Sequence, residues 1–122
     1  MYGDAVYCAM QSVVETPAYL AAAKEEGMTA EEMTAAVDLV AANPKAGDLI
    51  VGSGGCRKVR VAGKGRGKSG GYRVVTFFGG EDVPAFLLAV LAKGSRANFS
   101  KAERNAMKQA TRRLRESLGV RA

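Results

Sequence analysis

Lys58-Val-Arg-Val61, the glycine-rich turn Gly63 to Gly71 and Tyr72-Arg-Val-Val-Thr-Phe-Phe78 decide the fold of this chain. In the first run Val59 and Val61 alternate with Lys58 and Arg60, a period of two that makes a strand with one apolar and one basic face. The last run is β-branched and aromatic, a second strand, and the glycines between them turn the chain back. After the tight connection Gly79-Gly-Glu-Asp82, Val83 to Ala92 supplies a third strand, more buried than its neighbours. Short links between successive strands favour antiparallel pairing.

Working back from the hairpin, the period becomes helical. Gln11-Ser-Val-Val-Glu15 is a short strand candidate. Thr16-Pro17 starts a helix, with threonine as cap and proline at the first helical position, and Gly27 stops it. Thr29-Ala-Glu-Glu32 is a capping box that opens a second helix to about Ala42, with Met33, Val37 and Val40 on one face. Asn43-Pro44 ends that helix, and a loop runs on through Asp48.

Beyond the hairpin, Ser100-Lys-Ala-Glu103 is another capping box, opening a helix to about Leu118 with Gly119 as its stop. At ~100° per residue, Ala102, Ala106, Ala110, Leu114 and Leu118 share one arc, the expected buried face. Lys101, Arg104, Lys108, Arg112 and Arg115 fall on the opposite arc, either a solvated face or a second phosphate-contacting surface. The fold class is α/β (α+β).

The chain has 122 residues, 48% apolar and 25% charged, which fits one globular domain rather than disorder. It contains no histidine, which removes the usual general acid and base near neutral pH and the commonest zinc ligand. Cys8 and Cys56 form no C-x-x-C spacing, so no metal site and no cofactor are expected, and two lone thiols fit a reducing cytoplasm. The apolar run Val83 to Ala92 is too short to span a bilayer, so no membrane partner is expected. Met1 to Met10 lacks the basic region of a signal peptide.

Charge is segregated along the chain. Residues 1–48 carry a net −6, residues 81–122 a net +5. Between them Arg57, Lys58, Arg60, Lys64, Arg66, Lys68 and Arg73 stand without a single carboxylate. A polyanion, nucleic acid above all, is the partner such a surface attracts.

Two glycine motifs in this region invite a nucleotide-binding reading. Ala62 to Ser69 fits a permissive phosphate loop, and Gly65 to Gly70 fits G-x-G-x-x-G. Both motifs work by feeding a helix whose N-terminal amides meet the phosphate. Here the glycines feed the strand Tyr72 to Phe78, so a basic hairpin loop is the better reading.

A strand face with Lys58 and Arg60 beside a strand with Arg73 places three cations on one side of a sheet. Like charges on neighbouring strands are destabilising, and an anionic ligand reverses the sign of that cost. Snorkelling at a sheet edge is the alternative. RNA is a polyanion that brings its own nucleophile, the 2′-hydroxyl. A lysine crowded by cations titrates lower and becomes a usable acid or base, while arginine stays charged and suits a developing phosphorane. Tyr72 is a candidate for stacking on a base, although a strand tyrosine more often belongs to a core.

Five motifs occur in order: Val13-Val-Glu-Thr-Pro17, Asn43-Pro-Lys-Ala-Gly-Asp48, Gly52-Ser-Gly-Gly-Cys-Arg-Lys-Val-Arg60, Gly67-Lys-Ser-Gly-Gly-Tyr-Arg-Val-Val75 and Ala92-Lys-Gly-Ser-Arg-Ala-Asn-Phe-Ser100. In these the chain resembles the RelE/ParE toxin superfamily, specifically its HigB-type branch of bacterial type II toxin–antitoxin systems. The likeness covers about Val13 to Arg112. It implies two N-terminal helices and a C-terminal helix around a mostly antiparallel, four-stranded twisted sheet.

It also implies a ribosome-dependent endoribonuclease that cleaves messenger RNA without metal, a cognate helix-turn-helix antitoxin, and contact with operator DNA only through the antitoxin complex. Position by position, Lys58 and Arg60 match the basic pair of the second strand, and Arg73 the arginine that stabilises the transition state. Lys93 matches the lysine ending the last strand, and Arg96 a basic residue beyond it. Arg57, Lys64, Arg66, Lys68, Tyr72 and Arg96 form the expected RNA- and ribosome-binding set. Leu91 stands where an aromatic residue is common in related sequences, and Gly94-Ser95 where Asn-Glu is common.

Residues 1–10 have no counterpart and are expected to be a disordered extension or a mis-called start, Met10 lying where such chains usually begin; residues 11–122 form the single domain. A ParE-type gyrase inhibitor and a degenerate homologue that only binds antitoxin or nucleic acid remain the alternative functions.

Overall fold

A computed structural model describes residues 12–62, 71–80, 83–92 and 99–118. The elements are β1 (Val13–Glu15), α1 (Pro17–Glu26), α2 (Ala30–Ala42), β2 (Asp48–Leu49), β3 (Cys56–Ala62), β4 (Gly71–Phe78), β5 (Ala85–Ala92) and α3 (Lys101–Leu118). The sheet runs β1-β5-β4-β3-β2, with α1 and α2 on one face and α3 on the other.

The expected helix starts form by the expected hydrogen bonds. Thr16 Oγ1 accepts from the Tyr19 backbone amide at 3.2 Å and donates to the Leu87 carbonyl at 2.8 Å, so the cap also fastens α1 to β5. The Thr29 hydroxyl accepts from the Glu32 amide at 3.1 Å, and the Glu32 carboxylate accepts from the Thr29 amide at 2.8 Å. Ser100 and Glu103 repeat this reciprocal pair at the head of α3, at 3.1 and 2.8 Å. Each pair satisfies amides that the first helical turn leaves without partners.

The sheet is mostly antiparallel, as expected, and departs from the sequence reading in its strand count. It has five strands rather than four, because the loop through Asp48 is drawn into a two-residue edge strand against Arg57 and Lys58. Its first strand pairs parallel, Val13 to Ala85 through Glu15 to Leu87. The β3–β4 and β4–β5 pairs are antiparallel as expected. The strand expected from Val83 begins at Ala85. β5 lies between β1 and β4 and is covered on both faces, which accounts for its unbroken apolar sequence. A bulge at Val75/Thr76 leaves Leu88 as the extra residue on β5.

Two apolar clusters lie on opposite sides of the sheet. Val59, Val61, Tyr72, Val74, Leu87 and Val90 pack against Tyr19 and Ala23 of α1 and Ala36 and Val40 of α2. Cys56, Val75, Phe77 and Phe86 pack against Phe99 and against Met107 and Leu114 of α3.

The buried arc of α3 is rotated from the expected one. Ala102 and Ala106 are exposed, while Thr111 is fully buried and Arg104 and Arg115 are half-buried. The cause is the loop between β2 and β3. Ser53 Oγ, itself buried, donates to the Ile50 carbonyl at 2.6 Å and accepts from the Cys56 amide at 3.0 Å, closing a tight turn. That turn presents Gly54 to the helix with φ +81°, and a Cβ there would collide with Thr111 Oγ1 and lie 3.3 Å from the Lys108 Cα. Arg115 donates to the Gly54 carbonyl at 3.1 Å and lies 4.9 Å over the Phe77 ring. Arg104 donates to the Phe99 carbonyl at 2.6 Å. Backbone close approach and two arginine stems, rather than alanines, turn the helix to its face.

Candidate RNA-facing surface

The strand register sorts the cations. Lys58 pairs with Val75 and Arg60 with Arg73, so these residues share the sheet face that carries Cys56 and Phe77, the α3 side. Leu91 pairs with Arg73 from the other edge. Arg60, Arg73 and Leu91 therefore form one row across three strands, with Lys58, Val75 and Ala89 in the row nearer α3. Directly opposite residues have Cβ atoms about 4.5–5.5 Å apart, and Lys58 is about 7 Å along its strand from Arg60. Arg60 is exposed; Arg73 and Lys58 are half-buried. Asp48 faces Lys58 from β2, which places one carboxylate at the rim of this face.

Not every residue of the expected binding set joins them. Arg57 lies on the opposite face, paired with Leu49 and Thr76, and its guanidinium donates to the Gly47 carbonyl at 3.0 Å. It fastens the loop after α2 to β3, and Gly47 itself has no room for a side chain because a Cβ would meet the Lys58 carbonyl. Tyr72 also belongs to the opposite face, 7% exposed in the cluster under α1 and α2. Its ring is core, since alternation on β4 puts residue 73 on one side and residue 72 on the other. Lys64, Arg66, Lys68, Lys93 and Arg96 lie outside the described residues, as do Cys8 and Met10.

Sequence reasoning missed Asp48 as a strand residue and Thr111 as a contact, and it placed Arg104 and Arg115 on the solvated or phosphate-contacting arc of α3, whereas their guanidiniums hold the Phe99 and Gly54 carbonyls. Gly54-Gly55 immediately before a strand was the available signal for Thr111, because paired glycines there mark a close backbone approach. The strand that follows the glycine turn, Gly71 to Phe78, removes the helix that a nucleotide-binding loop requires. Cys56, at the α3 end of the face, is fully buried, and its thiol is pushed up to about 11, first by burial. It is a packing residue rather than a nucleophile.

The chain is a small α+β domain with three cations on one partly open sheet face and Asp48 at its rim. Comparison with protein families narrows this. The family described as the RelE toxin of the RelE/RelB toxin–antitoxin system matches residues 12–118. The chain belongs to that family, and is thus a toxin whose partner is an antitoxin. Among the described residues, no helix is long and apolar enough to cross a membrane.

Proposed function

We propose that this toxin is a ribosome-dependent endoribonuclease of the HigB type that cleaves messenger RNA in the cytoplasm. The observation that carries the proposal is Arg60 opposite Arg73 with Lys58 beside them on one partly open face. Two arginines brought side by side repel, and a phosphodiester between them converts that repulsion into attraction.

The reaction suits these side chains. The 2′-hydroxyl oxygen attacks the adjacent phosphorus and loses its proton; the bond to the 5′-oxygen breaks and that oxygen gains a proton. The products are a 2′,3′-cyclic phosphate and a 5′-hydroxyl. Arg73 and Arg60, always charged, stabilise the dianionic phosphorane. Proton transfer falls to lysine, with Lys58 on this face and Lys93 assigned to it by family likeness. Lys64, Arg66, Lys68 and Arg96 add long-range attraction for RNA. A helix-turn-helix antitoxin neutralises the toxin, and the pair contacts operator DNA through the antitoxin.

The test is induced expression followed by primer extension on translated transcripts. Cuts within codons are expected from the parent and none from Arg73→Ala. Intact transcripts accompanied by gyrase arrest would favour the ParE-type alternative and overturn this reading.

A further inference from the structure

Among the described residues, Asp48 is the one carboxylate that strand register brings onto the cationic face. A negative charge there opposes the attraction of the face for phosphate. It nevertheless stands at a place the fold fixes from both sides. On one side the Arg57 guanidinium donates to the Gly47 carbonyl at 3.0 Å, and Gly47, at φ +92°, lies too close to the Lys58 carbonyl to carry a side chain. On the other, the Ile50 amide donates to the Cys56 carbonyl at 2.8 Å. Asp48 is exposed, and alternation puts its side chain on the face of Ile50, which packs in the cluster under α3.

Lys58 therefore has unequal neighbours. Across the ladder it has Asp48 on β2 and Val75 on β4. Arg60 lies two residues along its own strand, and Arg73 lies diagonally from it on β4. The arginines repel the ammonium and the carboxylate attracts it, so both forces act toward β2. Opposed Cβ atoms are about 4.5–5.5 Å apart, within reach of a lysine stem. The nearest arginines of α3 do not compete for the carboxylate, since Arg104 and Arg115 hold the Phe99 and Gly54 carbonyls.

We propose that Asp48 is a positioning residue for Lys58. Its carboxylate holds the ammonium on the β2 side of the Arg60–Arg73 pair, where it meets a reacting oxygen instead of becoming a third clamp on the phosphate; this rests on the cleavage reading above. A lysine stem is flexible, and proton transfer requires the amine at one place. Asp48 supplies that restraint without touching RNA, whose phosphates it repels.

The test is single-turnover cleavage on 70S ribosomes programmed with messenger RNA, with toxin in excess. It yields the plateau rate and the half-saturating toxin concentration separately. Asp48→Asn is expected to lower the plateau rate on the order of ten- to a hundredfold, as a displaced catalytic group does. Half-saturation should move to a roughly two- to fivefold lower concentration, because a repulsion of phosphate is gone. Asp48→Glu, which keeps the charge, recovers most of the rate. In the Lys58→Ala background, Asp48→Asn changes the residual rate no further, because the two residues act as one unit. Side-chain relaxation by NMR at Lys58 Cε of the free toxin reads the restraint without any cleavage, and shows more order in the parent than in Asp48→Asn.

An unchanged plateau rate overturns the proposal, and equal mobility of Lys58 Cε in the two proteins overturns it too. A rate loss that persists at full size without Lys58 also overturns it, since Asp48 then acts on the RNA by itself. If Asp48→Asn does not fold, the order of Lys58 Cε in the parent carries the test: it falls as salt screens the pair, and indifference to salt overturns the proposal. A parent protein that leaves messenger RNA intact defeats the cleavage reading alone, and the relaxation still decides whether Asp48 holds Lys58.

Discussion

Arg60 stands directly opposite Arg73 across the β3–β4 ladder, on the sheet face that also carries Lys58. No local preference of the chain favours that pairing. Opposed like charges cost a sheet roughly 0.2–1 kcal/mol, so the register is maintained by the packing of Val59, Val61 and Val74 on the other face.

Removing one arginine therefore separates stability from function. Arg73→Ala is expected to melt at or slightly above the parent temperature in low salt, a gain of up to about 1 kcal/mol that shrinks as salt screens the pair. Under the proposed function, the variant is also expected to lose messenger RNA cleavage. Thermal melts at two ionic strengths check this, and a drop of several degrees at low salt contradicts the repulsion.

Gly54 is the point where the β2–β3 loop meets α3. Gly54→Ala should cost roughly 2 kcal/mol or more, from a left-handed backbone that alanine resists and from collision with Thr111. Adding Thr111→Ala should recover part of that loss in a double-mutant cycle, because the two residues are in contact. Purely additive costs would show that the collision is not the cause.

Arg115 and Arg112 of α3 should behave differently. Arg115→Ala loses a hydrogen bond and its position over Phe77, and is expected to lower stability by about 1–2 kcal/mol. Arg112→Ala, exposed, should stay within about 0.5 kcal/mol of the parent. Equal effects in urea unfolding would return the helix to the face expected from its alanines.

Alkali should unfold this protein early. Burial raises the Cys56 thiol from 9.0 to about 11, and burial followed by the nearby Glu15 charge raises the Tyr19 phenol from 10.0 to about 12. Both groups release protons more readily when unfolded. Their contribution to stability is complete below about pH 9 and disappears as pH climbs through about 11 to 12. Urea midpoints should be flat with respect to these groups below pH 9 and fall above it, less steeply in Tyr19→Phe. Tyr19 is fully buried with no partner for its hydroxyl, so Tyr19→Phe should also gain about 1 kcal/mol near neutrality.

Much of the fold was legible in short stretches. The alternation of Lys58-Val-Arg-Val61 separates two sheet faces, and three capping signatures at Thr16, Thr29 and Ser100 set helix starts. Charge alone puts Arg57 with the RNA-binding set and base stacking alone puts Tyr72 there, although the same alternation assigns both to the opposite face. Asp48 gave no strand signal of its own; β3 recruits it. Leu91 was visible as a departure from the family pattern, but its place beside Arg73 needed the β4–β5 register.

The sequence by itself determined the class of elements, their order, the excess of cations between Leu49 and Gly80 and the missing histidine. These follow from neighbours along the chain, where period, caps and turn residues act over a few positions. Tertiary structure alone decided which cations meet. The Arg60–Arg73 pairing, the parallel docking of β1 on β5, and the division of α3 arginines between loop and solvent each join residues far apart in sequence. For α3 the deciding term is shape: the buried Ser53 turn lifts Gly54 to Thr111, and the helix rotates to meet it.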